Sequence, residues 1–201
     1  SRCSGARGSS MRSCARSMPG STSCSTRWPS GVMVSSRTRT YLVSERFDRL
    51  GTSGRRHLVS VGAAHAGFVA DTYQNWTSTC AQLAAQQQLS KDDAAQAEAV
   101  WHFGRLIGNT DMHSGNLSLF VDRKKLVRPR FQIAPIYDML PMRWRPDMVS
   151  GAADYSAFEP NPFSLQSAAR NMAQGFWSGL AECNAVSNGL RDTAQTMLER
   201  S

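Results

Sequence analysis

The chain has 201 residues, enough for one domain with a sizeable core, and its apolar fraction of 41% is typical of a folded protein. Residues 1–44 contain seven Arg and no Asp or Glu, so they carry +7 of the formal net charge of +8. Since residues 45–201 carry only +1, the composition argues against a basic nucleic-acid-binding face on the folded body.

Residues 1–40 differ sharply in composition from the rest of the chain. They contain twelve Ser and seven Arg but no Leu, Ile, Phe or Lys. Such a segment buries too little apolar surface to offset the entropy lost on ordering, so we predict a disordered basic tail. An alternative is that the segment is translated out of frame upstream of Tyr41. The predicted folded domain is then residues 41–201.

Residues 41–107 predict a strand, a turn and two helices. The strand covers 41–48, and the turn covers 51–56. Apolar residues at helical spacing from Tyr73 to Leu83 predict a helix, for which Asp71 is a candidate N-cap. Ser90 begins a capping-box pattern, so a second helix is expected to run to about Ile107, with small residues packed tightly against a neighbour.

The remainder predicts a hairpin followed by two helices. Residues 117–121 and 131–134 are the two expected strands, and 142–162 is expected to be mostly irregular. Two further helices are indicated by apolar residues at helical spacing, namely Leu165, Ala168, Met172 and Phe176 for one and Leu190, Ala194 and Met197 for the other.

A polar segment before the hairpin carries the strongest functional signal. Asp111 and Asn116 have the spacing D-x-x-x-x-N, and Asp138 follows the strand pair. This is the order found in protein kinases, where the first Asp accepts the proton of the substrate hydroxyl and the Asn and second Asp bind Mg²⁺. Hard oxygen ligands of this kind suit Mg²⁺, which neutralises the phosphate oxygens during phosphoryl transfer.

Two longer motifs extend this pattern. The segment Gly108-Asn-Thr-Asp-x-His-x-x-Asn116 is followed by Ala134-Pro-x-Tyr-Asp-Met-Leu-Pro141, and the pair resembles the signature motifs of HipA-family toxins. The stretch from Phe103 to Ser118 is most similar to the YjjJ-like subgroup of that family. The resemblance covers roughly residues 41–200, and Val43–Arg49 resembles the hinge strand of the family.

The resemblance implies an α+β fold, namely the mainly helical C-terminal lobe of a protein-kinase-like protein with a small catalytic hairpin. It also implies ATP-dependent transfer of phosphate to a protein Ser or Thr hydroxyl by the toxin of a toxin–antitoxin pair, with Mg²⁺ as cofactor and a possible HipB-like antitoxin as partner. By resemblance, Asp111 is the general base and Asn116 and Asp138 are the metal ligands. The residues implied to border ATP are Glu45, Arg46, Phe47, His113, Ser114, Gly115, Asn116, Tyr137 and Asp138.

One departure from the family and several alternatives stay open at this point. No phosphate-covering loop or phosphate-binding Lys is recognisable before Tyr41, so a truncated, inactive remnant or a protein-binding module is the main rival. Alone, Asp111 and His113 could form an Asx turn beside a structural His. A metallohydrolase site would need a further His at ligand spacing. Nucleic-acid binding would be nonspecific and confined to the tail.

Cysteine usage and hydropathy indicate the compartment. None of the five Cys forms a C-x-x-C pair, and their odd number does not suggest a disulfide framework. The N-terminal segment has no apolar core of a signal peptide, and the longest apolar stretch, 59–70, is too short to span a bilayer. We therefore expect a cytoplasmic protein without a membrane partner.

Overall fold

The computed structural model describes residues 31–35, 40–122 and 127–201. Thirteen numbered helices and strands occur in these residues. The strands are β1 Gly31–Ser35, β2 Thr40–Ser44, β3 Arg49–Leu50, β4 Gly54–Arg55, β5 Leu58–Ser60, β6 Ser118–Val121 and β7 Phe131–Ile133. The helices are α1 Val61–Phe68, α2 Trp76–Ala85, α3 Lys91–Leu106, α4 Pro162–Leu165, α5 Arg170–Ala181 and α6 Asn188–Arg200, and a 3-10 turn covers Met142–Trp144. The predicted α+β class is confirmed.

The strands form three small antiparallel sheets. β1 pairs with β2 and β3 pairs with β4, while β5, β6 and β7 form a three-stranded sheet with β6 in the centre. Leu119 on β6 lies opposite Val59 on β5 and Ile133 on β7. The predicted hairpin is therefore the β6–β7 pair, and β5 is the strand of this sheet that was not predicted.

The segment predicted as a tail, residues 1–40, contains a strand. This strand is β1, and its backbone pairs with β2 from Gly31↔Ser44 to Ser35↔Thr40. The predictions for residues 1–30 lie outside the described residues.

One local prediction near α2 is wrong, and the preceding helix α1 was not predicted. Asp71 does not cap a helix, since the side chain of Asn75 accepts the backbone N–H of Ser78 at 2.9 Å and α2 begins at Trp76. The apolar segment before it contains α1, which begins where β5 ends. Ser60 joins the two by accepting the N–H of Ala63 at 3.1 Å.

The predicted start of α3 is confirmed in detail. The Ser90 hydroxyl accepts the N–H of Asp93 at 2.9 Å and donates to the Asp93 carboxylate at 2.7 Å. The negative charge of Asp93 in this first turn also interacts favourably with the positive end of the α3 dipole. The later helix predicted from Leu165 to Phe176 is divided in the structure into α4 and α5.

Two apolar clusters flank α3. The first lies between α1, α2, the N-terminal half of α3 and the three-stranded sheet, and includes Trp76, Leu83, Val100, Leu119 and Ile133. The second lies between the C-terminal end of α3, α5 and α6, and includes Leu106, Trp144, Trp177 and Met197. No helix among the described residues is long and apolar enough to cross a membrane.

Candidate functional site

The site begins where α3 ends. Gly108 follows the last turn with a φ of +69°, and its N–H donates to the Arg105 carbonyl while the Asn109 N–H donates to the Gly104 carbonyl at 2.8 Å. This pair of bonds is a Schellman motif, which requires a left-handed residue and therefore favours Gly. The motif turns the chain sharply and delivers Asn109 at the start of the polar loop, residues 109–116.

Asp111 and Asn116 are brought together by hydrogen bonds within this loop. The Asn109 side chain accepts the N–H of Asp111 at 2.9 Å, which forms an Asx turn. The Asn116 amide nitrogen donates to the Asp111 carbonyl at 2.7 Å. Asp111 is exposed, whereas Asn116 is buried. The Asp111 carboxylate is thus exposed to solvent, while the buried amide of Asn116 fixes the Asp111 backbone.

Hydrogen bonds from α1 and α2 anchor the backbone of the polar loop. The indole N–H of Trp76, at the start of α2, donates to the His113 carbonyl at 3.0 Å. The N–H of Gly62, at the start of α1, donates to the Ser114 carbonyl at 3.0 Å. A Cβ at Gly62 would lie 2.6 Å from the Ser114 hydroxyl oxygen, so the close approach of α1 requires Gly.

His113 has a structural position in the loop. Its Nδ1 accepts the N–H of Gly115 at 3.0 Å, while its ring is exposed. A ring nitrogen that accepts a backbone N–H carries no proton at that atom. This contact supports the view of His113 as a residue that shapes the loop, and Ser114 and Gly115 follow it in the same turn.

Asp138 lies beside the polar loop because Tyr137 and Met139, the residues before and after it, both contact the loop. The Tyr137 hydroxyl donates to the Gly115 carbonyl at 2.7 Å, and the Asn109 amide donates to the Met139 sulfur at 3.2 Å. Asp138 itself is exposed and has a φ of +54°, a left-handed conformation that Asp tolerates better than most residues. Residues separated in sequence by the hairpin therefore meet at one edge.

The hinge segment reaches this edge through Phe47. The Phe47 ring stacks on that of Tyr137 with centroids 5.8 Å apart and contacts Phe120 edge-on at 6.0 Å. Arg46 forms a bidentate pair with Asp48, at 2.7 and 2.8 Å. The hydrogen bond from Arg46 is the main cause that lowers the pKa of the Asp48 carboxyl. Glu45 is exposed.

Residues 21–200 match the family described as the HipA-like C-terminal domain. The chain belongs to the HipA-like C-terminal domain family. The toxin YjjJ of Escherichia coli (strain K12) is 38% identical over 175 residues, which are 85% of this chain and 38% of that protein. The HipA-like chain thus spans well under half the length of this relative, and the YjjJ-like resemblance of its motifs is confirmed.

A solved structure supports the same fold. It contains HipA, HipB and operator DNA of the Shewanella oneidensis MR-1 toxin–antitoxin system, and a chain of it matches with a TM-score of 0.53 at 18% identity. The match covers 86% of this chain and 50% of that chain. At this identity the likeness shows the fold alone, which confirms the predicted HipA-like α+β architecture.

The donor atoms at the edge fit a small hard cation. Asn116 uses its amide nitrogen on the Asp111 carbonyl, so its amide oxygen is the atom with the chemistry of a Mg²⁺ ligand. Asp138 adds an exposed carboxylate. The described residues contain no cluster of three or more His, Cys, Asp or Glu that could hold a metal ion. Mg²⁺ characteristically uses few protein ligands and keeps several waters.

Asp111 also lines a groove of about 550 Å³. Its walls include Trp101, Arg105, Thr110, Asp111, Arg143 and Phe158. The Trp101 side chain is half-buried, packs against the first cluster and contributes to this wall. Arg143 and Phe158 were not predicted as site residues, because they come from the irregular segment after the hairpin and no local pattern connects them with α3.

Proposed function

We propose that this chain is the catalytic C-terminal part of an ATP-dependent serine/threonine kinase. The observation that carries the proposal is the position of Asp138. Its two neighbours, Tyr137 and Met139, contact the loop that holds Asp111 and Asn116. A phosphotransferase site needs this convergence, since one carboxylate must face the acceptor and two oxygen donors must face the phosphates.

Each of these residues has a role that follows from its environment. The exposed Asp111 carboxylate accepts the proton of the acceptor hydroxyl, and the Asx turn and Asn116 fix its backbone. Asn116 and Asp138 would hold Mg²⁺, which when bound neutralises the charge on the phosphates. Holding the acceptor near Asp111 in one orientation lowers the entropic part of the barrier.

The proposed nucleotide face is the ring pair of Phe47 and Tyr137. Their stacked rings, 5.8 Å apart, leave the hinge backbone beside an aromatic surface of the kind that packs on a purine. Ser114 and Gly115 lie on the loop at the same edge, where Tyr137 donates to the Gly115 carbonyl. ATP bound here would direct its phosphates toward Asp138 and Asn116.

The toxin role and its partners are part of the same proposal. YjjJ is a toxin, and the Shewanella complex contains HipA with HipB and its operator DNA. We extend from this that the protein acts on a protein Ser or Thr and pairs with a HipB-like antitoxin in the cytoplasm. Pull-down of a HipB-like protein encoded beside the gene would test the pairing.

The kinase proposal is tested by ATP binding and phosphate transfer. Calorimetry of the full chain should show ATP binding that requires Mg²⁺, and radiolabelled phosphate should move from ATP to dephosphorylated casein. Asp111→Asn should keep ATP binding but lower transfer by about 10²- to 10⁴-fold, because it removes the general base. Asp192→Asn, at an exposed position on α6, is the matched control and should leave transfer unchanged.

Two outcomes would contradict the proposal in different ways. Absence of Mg²⁺-dependent ATP binding would favour the alternative of an inactive remnant or protein-binding module. Normal transfer by Asp111→Asn would remove Asp111 from the role of base while leaving nucleotide binding intact.

A further inference from the structure

We propose that the groove beside Asp111 binds an acidic segment of the protein substrate, whose Asp or Glu side chains flank the acceptor hydroxyl and contact Arg105 and Arg143. The inference rests on the proposed kinase function, because that function gives Asp111 the acceptor hydroxyl as its partner. It adds the chemical class of the substrate, which is read by residues outside the two family motifs.

The first argument is position. Among the predicted site residues, Asp111 and His113 line the groove, whereas Phe47, Tyr137 and Asp138 do not. The ring pair of the proposed nucleotide face thus does not line the groove, whereas Asp111 does. An acceptor in the groove could reach the Asp111 carboxylate without entering the nucleotide face.

The second argument is charge. Arg105 lies in the last turn of α3 and Arg143 lies in the 3-10 turn, and both are exposed. Asp111 is the one carboxylate among the described residues that line the groove. Arg105 also suits the negative end of the α3 dipole. The backbone N–H of Arg143 donates to the Gly108 carbonyl at 2.9 Å, which places Arg143 at the same end of the helix. The chain places two guanidinium groups beside one acid.

The third argument is the shape of the walls. Trp101 and Phe158 are half-buried and contribute flat aromatic surface to the groove, and the Arg143 guanidinium lies 5.4 Å from the centre of the Phe158 ring. The ring limits the freedom of the guanidinium, so less entropy is lost when it pairs with a carboxylate. Aromatic residues and Arg are enriched at surfaces that bind other proteins.

The experiment measures binding without phosphate transfer. A short fluorescein-labelled peptide with Ser at its centre and Glu on both sides is titrated with the full chain in the absence of ATP, and anisotropy gives the Kd. A matched peptide carries Gln in place of every Glu. At low ionic strength the Glu peptide should bind about tenfold more tightly than the Gln peptide, since exposed charge pairs are screened only weakly there.

Variants of Arg105 and Arg143 test whether these residues cause the preference for the Glu peptide. Arg105→Glu combined with Arg143→Glu should abolish the preference for the Glu peptide, and the milder pair Arg105→Gln with Arg143→Gln should reduce it. Arg130→Glu, an exposed position outside the groove, is the control for net charge and should change either Kd by less than about twofold. Circular dichroism of each variant verifies that it is folded.

Several results would overturn the inference. These are equal or undetectable binding of the two peptides by the wild-type chain, an equal loss in Arg130→Glu, and displacement of the Glu peptide by Mg²⁺-ATP. The last result would assign the groove to the nucleotide. If the Glu preference and its dependence on Arg105 and Arg143 hold while Mg²⁺-dependent ATP binding fails, the groove stands as a peptide site and the kinase proposal falls.

Discussion

The two halves of α3 are packed in different ways, and the difference explains where the site lies. The N-terminal half packs against α1, α2 and the sheet, and this first cluster holds the polar loop through the hydrogen bonds of Trp76 and Gly62. The C-terminal half packs against α5 and α6 in an aromatic cluster. Met139 packs against both clusters, and it adjoins Asp138. The site thus occupies the boundary between two cores that share one helix.

Trp177 connects the second cluster to the end of α3. Its indole N–H donates to the Leu106 carbonyl at 3.2 Å, and its ring contacts that of Trp144 edge-on at 5.4 Å. Leu106 is the last residue of α3 and lies within the turn that the Schellman motif closes. The second cluster therefore fixes the point from which the loop departs, while the first cluster fixes the loop itself.

The largest expected effect tests whether the two clusters unfold together. Trp177→Ala should lower the free energy of unfolding by about 3–5 kcal/mol, and Leu83→Ala in the first cluster by about 2–5 kcal/mol, because both side chains are fully buried. Urea denaturation followed by circular dichroism measures both values.

The number of urea unfolding transitions shows whether the two clusters unfold together. Since α3 contributes to both clusters, each variant should shift a single cooperative transition. A second transition that appears in Trp177→Ala, with the first unchanged, would show that the clusters are independent and would contradict the shared-helix description.

A buried thiol in the first cluster predicts a pH dependence. Burial raises the pKa of Cys80 from 9.0 to about 12. Above pH 9 the unfolded chain loses this proton while the folded chain keeps it, so the unfolded state is favoured. The free energy of unfolding should therefore fall by about 1.4 kcal/mol per pH unit from this group between pH 9 and 12, and should be unaffected by it below pH 9.

Cys80→Ala isolates this contribution, since the other groups that titrate in alkali are common to both proteins. The variant should lose less stability than the wild type between pH 8 and about pH 10.5, as measured by urea denaturation. Equal slopes in the two proteins would show that the thiol is not protected from solvent in the folded state.

Local patterns in the sequence predicted the parts of the site that local bonds determine. Asp111 and Asn116 are five residues apart, and one hydrogen bond between them, at 2.7 Å, closes the loop. Ser90 and Asp93 likewise form their capping box across a single turn. In such cases spacing along the chain is nearly equivalent to geometry, because few backbone conformations satisfy it.

Features that depend on tertiary packing were not predictable in this way. α1 was missed because its small residues, such as Gly62 and Ala64, give no clear helical pattern, and the close approach to Ser114 that requires Gly62 is visible only in the folded chain. The groove combines Arg105 with Arg143 across the whole hairpin. No spacing rule could connect Arg105 with Arg143, because tertiary packing of the second cluster against α3 brings them together.

The smallest expected effect compares two tyrosines, one that is hydrogen-bonded to the polar loop and one that is buried in the first cluster. The Tyr137 hydroxyl donates to the Gly115 carbonyl and lies 2.7 Å from the Ser118 hydroxyl, from which it accepts. The Tyr73 hydroxyl is buried in the first cluster, and among the described residues it has no hydrogen-bond partner. The same change to Phe should therefore have opposite consequences at the two positions.

Tyr137→Phe should lower the free energy of unfolding by about 1–2 kcal/mol, because it leaves the Gly115 carbonyl and the buried Ser118 without their shared partner. Tyr73→Phe should be neutral or raise stability by up to about 1 kcal/mol, because a hydroxyl buried without a partner carries a desolvation cost. Tyr137→Phe should also weaken Mg²⁺-ATP binding under the kinase proposal, since Tyr137 holds Asp138 to the loop. If the two variants prove equally stable, the hydroxyl of Tyr137 does not secure this edge, and the position of Asp138 must depend on Met139 and the packing of the two clusters.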